Sequence, residues 1–362
     1  MSLIDDVRAA LGAITDPILD RTLDDLEMVR EVRVDGAHAV VEVALPSAAH
    51  PEIDGLAEQI GDAVKAVAGI ESVHIDYGVM TSDEQARLRD ALVGGAGRSF
   101  NDRYPRTRVL GISSGKGGVG KSSVTVNTAV ALHRRGHRVA ILDADVYGFS
   151  VPKMLGIDRP PMQVADLIVP PKGHGVACIS MGFFAEEDAA VVWRGPMLHK
   201  ALEQFLLDVW WGEPDYLLVD MPPGTGDIAI SMAQHLPRTE IYVVTTPQPA
   251  AQRVAQRTAA MAKKVNLDVF GIIENMAWFT GDDSRRYELF GAGGGEALAT
   301  QLDVPLVAQV PFVPALREGG DEGRPVTVAD PAGEVATAFD AIAQFVEAHG
   351  PRKIFRRELR VR

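Results

Sequence analysis

The spacing of apolar residues changes character near residue 108, and the change divides the chain. In the first ninety or so residues, short alternating stretches are mixed with helical ones. Ser2–Leu11 has helix-type spacing. Val29–Val34 and Ala39–Ala44 alternate apolar with polar residues on either side of Asp35-Gly36, which predicts a β-hairpin. Leu56, Ile60, Val64 and Val67 recur at helical intervals over Ile53–Val67, and Ser72–Tyr77 reads as a further strand. Residues 1–93 are therefore expected to form a small α+β domain. Residues 94–107 are polar and glycine-containing with no clear period, as expected of a linker.

From Val109 onward, apolar runs of strand length alternate with helical patterns. The strand candidates are Arg108–Ser113, Arg138–Leu142, Val176–Ser180, Tyr216–Asp220, Ile241–Thr245, Val269–Glu274 and Val307–Val310. Helical spacing is found at Val124–Arg135, Met197–Val209, Ile228–His235, Ala250–Val265 and Gly333–Ala348. This alternation predicts an α/β fold over residues 108–350, a mostly parallel sheet with helices on both faces. Ligands of such folds bind outside the carboxyl ends of the strands. The chain closes on a basic tail, residues 351–362.

Composition narrows the function classes. The 362 residues suffice for about two domains. A net charge of −13 argues against broad binding of nucleic acid. No apolar run reaches the ~18 residues of a membrane span. The N-terminus lacks the basic flank and apolar core of a signal peptide, so a cytoplasmic protein is expected. A single cysteine, Cys178, excludes an internal disulfide and any multi-cysteine metal site within one chain.

The candidate chemistry starts at Gly115-Lys116-Gly117-Gly118-Val119-Gly120-Lys121-Ser122, followed by Ser123. The run fits G-x-x-x-x-G-K-[ST], in which backbone N–H groups cradle phosphates, the lysine reaches the β/γ-phosphates and the hydroxyl meets Mg²⁺. It lies between an expected strand and an expected helix, where the helix N-terminus favours an anion. Asp220 ends a strand and precedes Met221-Pro222-Pro223-Gly224-Thr225-Gly226-Asp227, so it is placed to hold the Mg²⁺ shell. Asp143 and Asp145 end another strand, where two carboxylates near a Mg-nucleotide can position metal and attacking water. Taken alone, Asp220 would read as an ordinary turn or capping residue, as Asp143 and Asp145 also could, but the phosphate loop upstream and their strand-end placement favour the functional reading.

KGGVGKS with its additional Lys116, then DADVYG and DMPPGTGD, resemble the deviant-Walker ATPases that include MinD, ParA, the nitrogenase iron protein and the Mrp/ApbC proteins. Trp193-Arg194-Gly195-Pro196, IIENMAWF and ELFGAGGGEALA are similar to the Mrp-type iron–sulfur cluster carriers specifically, and Asp16-Pro17 with the LEMV stretch resembles the small domain fused to many of them. The resemblance implies an ATP- and Mg²⁺-dependent homodimer. In it Lys116 reaches across to the partner's ATP, Lys121 is the cis phosphate lysine and Ser122 the magnesium ligand. Asp145 orients water with Asp143 near the metal, Asn275 contacts adenine, and the segment around Pro311 and Phe312 lies near the base. Iron–sulfur client or scaffold proteins are the implied partners.

The sequence departs from this family at one point. Most Mrp-type carriers have a C-x-x-C pair between the ENM and FGxGGG segments, and two such pairs in a dimer hold a [4Fe–4S] cluster. Here residues 277–287 contain no cysteine. Asp282 and Asp283 in that interval are hard ligands and are expected in a solvated turn. Cys178 is expected to be a buried structural thiol. The resemblance therefore implies an ATPase of cluster assembly or transfer whose cluster ligands are unidentified. A MinD/ParA-like positioning ATPase, with ATP-controlled surface binding through the basic tail, is the alternative.

Overall fold

The computed structural model describes residues 2–94, 99–145, 148–184, 195–224 and 227–350. The basic tail, Trp193-Arg194 and Thr225-Gly226 lie outside the described residues.

The larger part of the chain is built on an eight-stranded sheet. From one edge the strands run Lys172–Gly173, Val176–Ser180, Val139–Asp143, Tyr216–Asp220, Arg108–Ser114, Glu240–Thr245, Asp268–Asn275 and Leu306–Val310. Every neighbouring pair is parallel except the edge strand Lys172–Gly173. The central strands are buried on both faces, which is why they read as near-continuous apolar runs rather than as alternation. Lys121–Arg134 and Glu334–Ala348 cover one face, with Val124, Val130, Phe339 and Ile342 in its core. Gly195–Asp208, Asp227–His235, Pro249–Lys264 and Gly294–Leu302 cover the other, through Leu202, Met232, Ala259 and Leu298. The α/β architecture with helices on both faces is the one the apolar pattern predicts.

Register decides which side chains meet at the carboxyl ends. Asp220 is paired with Asp143 on one neighbouring strand and with Ile112 on the other. Asp143 is in turn opposite Ser180. Three polar residues from three separate stretches of sequence thus stand in one row beside the phosphate-loop strand.

The N-terminal part forms its own three-stranded sheet. Val29–Asp35 and His38–Leu45 make the expected hairpin, and Ser72–Val79 joins parallel to His38–Leu45 after the helix Ile53–Lys65 crosses over. Ser2 caps the first helix, Leu3–Gly12, through a capping box with Asp5. The core beneath this sheet is completed from the other part of the chain. The hairpin Met162–Val164/Leu167–Val169 contributes Met162, Val164, Leu167 and Val169, and Trp210 joins them. Neither this hairpin nor its role had a distinct signal in the sequence, because three-residue strands are too short to show a period.

Two further differences from the sequence pattern have local causes. In the interval expected to be an aperiodic linker, Phe100–Arg103 forms a single helical turn capped by Ser99, and Phe100 is buried in the large core. The helix after the phosphate loop begins at Lys121, earlier than Val124, because the loop itself leads directly into its first turn.

Candidate functional site

Gly115–Gly120 connects the central strand Arg108–Ser114 to the helix Lys121–Arg134, with Gly120 in the left-handed conformation (φ 79°) as its N-cap residue. Two of its glycines are required by close approach. A Cβ on Gly115 would collide with the backbone of Val254 and Ala255, and one on Gly120 would collide with the Asn275 amide. A Cβ on Gly117 or Gly118 would meet nothing within 4 Å.

Lys121 is almost fully buried, and its Nζ lies 2.7 Å from Asp220 Oδ2 and 3.4 Å from Asp145 Oδ2. Ser122 Oγ donates to Asp220 Oδ2 at 2.6 Å, and Thr125 Oγ1 donates to Asp220 Oδ1 at 2.6 Å. Asp143 accepts from Ser180 Oγ at 2.9 Å and from the Asp145 backbone N–H at 3.2 Å. Burial, reinforced by the neighbouring Asp220 carboxylate, pushes the Asp143 carboxyl up to about 7, against the pull of Ser180, the Asp145 N–H and Lys121. Sequence reasoning named Lys121, Ser122, Asp143, Asp145 and Asp220, and the fold brings all five together. It missed Thr125 and Ser180, whose signal exists only in register and in helix phase.

The hydroxyl of Ser122 and the carboxylates of Asp143 and Asp220 form a hard, all-oxygen donor set next to the phosphate loop. That chemistry fits Mg²⁺, which takes one or two carboxylates, water and substrate phosphate. When bound, the metal would neutralise phosphate charge; Ser122, Asp143 and Asp220 are the residues that would hold it.

Lys116 Nζ donates to Gln248 Oε1 at 3.2 Å, so this lysine is tied to its own chain at the start of the helix Pro249–Lys264. Ser123 lies in the first turn of the loop helix, where its backbone carbonyl accepts from Asn127. Asn275 ends its strand and donates from Nδ2 to the Val119 carbonyl at 2.9 Å, bracing the phosphate loop, while its buried Oδ1 has no hydrogen-bond partner. Pro311 is buried immediately after the strand that pairs Val310 with Asn275.

The interval between the ENM and FGAGGG segments, where the resemblance leads a C-x-x-C pair to be expected, is occupied by protein contacts. Phe279–Thr280 and Arg286–Tyr287 form a small hairpin. The Arg286 guanidinium sits 4.1 Å from the Trp278 ring centre, and Glu334 accepts from Trp278 Nε1 and Thr280 Oγ1 at 3.1 and 3.3 Å. Asp283 accepts from the Arg285 N–H and the Tyr287 hydroxyl in an exposed turn, as expected for a solvated segment. Cys178 is fully buried in the strand Val176–Ser180, next to the edge strand, where burial pushes its thiol up. The chain therefore does not supply a four-thiolate site, and among the described residues no group of three or more His, Cys, Asp or Glu side chains is placed to hold a metal.

A phosphate loop at the carboxyl end of a parallel sheet, with a buried lysine and strand-end aspartates around it, defines a P-loop NTPase. Comparison with known proteins gives the branch. Residues 106–347 match the family model described as NUBPL iron-transfer P-loop NTPase, and residues 4–76 match one described as iron-sulfur cluster assembly protein. The chain belongs to this iron-transfer P-loop NTPase family. It is 43% identical over 332 residues to the iron-sulfur cluster carrier protein of Mycobacterium leprae, covering 89% of this chain and 87% of the relative. With the corresponding protein of Bacillus subtilis it shares 41% identity, covering 85% and 88%. Among solved structures, a nucleotide-binding protein of Archaeoglobus fulgidus in complex with ADP is similar at a TM-score of 0.58 and 31% identity, covering 67% of this chain and 96% of that one. The cell division ATPase MinD of Pyrococcus furiosus is similar at a TM-score of 0.51 and 26% identity, covering 67% and 98%. No helix among the described residues is long and apolar enough to cross a membrane.

Proposed function

We propose that this protein is a Mg²⁺-dependent ATPase of iron–sulfur cluster assembly and transfer, acting as a homodimer in the cytoplasm. The observation that supports it most is the buried convergence of Lys121, Ser122, Asp143, Asp145 and Asp220 at one end of the phosphate loop. Its domain plan is a small α+β unit over residues 1–93, a linker over 94–107 and the ATPase domain over 108–350. Lys121 holds the phosphates in cis, the backbone of Gly115–Gly120 cradles them, and Ser122, Asp143 and Asp220 hold the Mg²⁺. Asp145 orients the attacking water, and the Asn275 side chain with the Pro311 segment contacts the adenine. Lys116 leaves Gln248 and stabilises developing phosphate charge on the partner's ATP, the electrostatic role of an arginine finger.

Each catalytic group has a defined proton or charge to manage. Water held by Asp145 attacks the γ-phosphorus as the bond to the β-γ bridging oxygen breaks, and ADP leaves with that oxygen. The water's proton passes to the released phosphate, and the charge spread over the γ-phosphoryl oxygens is faced by Lys121 and the trans Lys116. Turnover is expected to be slow, since closure and opening of the dimer accompany each cycle. The iron–sulfur cluster is cargo in this reading and is ligated by client or scaffold proteins, because this chain offers one buried thiol per subunit.

Two measurements test the proposal. Purified protein should hydrolyse ATP in the presence of Mg²⁺ and lose this on Lys121→Ala; hydrolysis retained in the variant would sink the site assignment. Anaerobic treatment of the purified chain with iron and sulfide should leave no stoichiometric cluster, read by iron and sulfide counting and by visible absorbance. Four iron atoms per dimer would contradict the partner-ligated cargo.

A further inference from the structure

Two histidines on neighbouring helices meet on the sheet face opposite the phosphate-loop helix. His199 lies in Gly195–Asp208 and His235 ends Asp227–His235, the helix that follows the Asp220 loop. Their Nε2 atoms are 3.2 Å apart, with ring centres at 4.7 Å and planes inclined by 41°. Two imidazole nitrogens at that distance either share one proton or turn both lone pairs on one cation. A tetrahedral zinc with bonds of about 2.0–2.1 Å sets two of its nitrogens roughly 3.3–3.4 Å apart. The observed separation falls close to that value.

The surroundings suit the second use. The Nδ1 of His199 is held by Ser231 Oγ at 2.9 Å, the outer hydrogen bond by which metal-binding histidines are oriented. With Nδ1 protonated towards Ser231, the His199 Nε2 lone pair accepts the His235 Nε2 proton, and a bound cation takes the place of that proton. Glu203 stands one helical turn beyond His199 on the same helix. Both imidazoles are half-buried, leaving the remaining coordination positions to water.

We propose that His199 and His235 form a two-histidine site for a divalent transition-metal ion, with Ser231 as its orienting residue and zinc as the ion of choice. Imidazole nitrogen selects zinc, nickel, copper or iron over Mg²⁺ and Ca²⁺, so the site is chemically separate from the oxygen site at Asp220. The ion ties the helix Asp227–His235 to the helix Gly195–Asp208. This inference does not depend on the reading of the protein as an ATPase.

The test uses the full chain, stripped with EDTA and dialysed against zinc chloride with Mg-ADP present to occupy the oxygen site. One zinc per wild-type chain is expected above the count of His199→Ala/His235→Ala. That increment should vanish in each single alanine variant and weaken by about tenfold or more in Ser231→Ala. Zinc should raise the unfolding temperature of the wild type and not of the double variant, and cobalt should give the intense visible band of a four-coordinate site. Equal zinc counts in wild type and double variant overturn the proposal, as does full binding in either single variant. Where an alanine variant fails to fold, the glutamine variant at the same position is read by the same criteria.

Discussion

Lys121 Nζ and Asp220 Oδ2 are 2.7 Å apart in a site where both side chains are withdrawn from water. Ser122 and Thr125 complete the carboxylate's hydrogen bonds, so the lysine that would meet phosphate and the aspartate that would face metal satisfy one another. Such a pair is costly to break by removing one partner, because the survivor is left buried and uncompensated. A bound Mg-nucleotide would resolve the same arrangement without that cost, by giving the lysine a phosphate and the aspartate a cation.

Lys121→Ala should therefore act on stability as well as on turnover. Beyond the loss of hydrolysis, the nucleotide-free protein should lose on the order of 3 kcal/mol at neutral pH. Urea unfolding followed by circular dichroism reads this. An unchanged midpoint would show that the ion pair is not a structural element.

Lys116→Ala should leave nucleotide binding near wild type and lower hydrolysis on the order of 10²–10³-fold, the scale of one lost charge-stabilising group. Mixing this variant with Lys121→Ala separates cis from trans action. In the mixed dimer, the Lys116→Ala subunit keeps its phosphate lysine and receives Lys116 from its partner. Partial recovery of activity on mixing is the expected result, and none would place Lys116 in cis.

Gly120→Ala tests the contact between the loop and the ENM segment. Gly120 has φ 79°, a left-handed backbone that costs an L-residue roughly 1–2 kcal/mol, and its new methyl would meet the Asn275 amide. Affinity for a fluorescent ADP analogue should fall at least about tenfold, the equivalent of 1.4 kcal/mol. Gly117→Ala, which opens on free space, should be far milder.

Acid should weaken the N-terminal part through Glu84. The hydrogen bond from Arg30, then those from the Thr81 N–H and hydroxyl, hold its carboxyl down to about 2 from an ordinary 4.5. The folded state thus favours the ionised form. Its contribution is complete above pH 4.5 and disappears as pH falls towards 2. Glu84→Gln should flatten the pH dependence of unfolding across that window; an identical slope in both proteins would refute the assignment.

Much of this molecule is legible in its residues because the signals are local. The phosphate loop is one contiguous run whose glycines, lysine and serine act through adjacent backbone, and the central strands announce themselves by being apolar on both faces. Asp143 and Asp220 could be nominated from their positions at strand ends. The missing C-x-x-C is equally a property of the sequence, and no packing can restore thiolates that are absent.

What only the tertiary structure decided is which distant positions share a neighbourhood. Strand order and register place Ser180 and Asp220 on either side of Asp143, 37 and 77 residues further along the chain respectively, where burial and then Asp220 raise the pKa of that carboxyl while Ser180 opposes them. Packing sets Gln248 against Lys116, Asn275 against the loop, His199 against His235, and the hairpin of residues 162–169 into the core of the N-terminal sheet. Local sequence specifies backbone preference and burial. The meeting of charges from separate elements depends on how the sheet is wound, and that is settled only when the whole hydrophobic core closes.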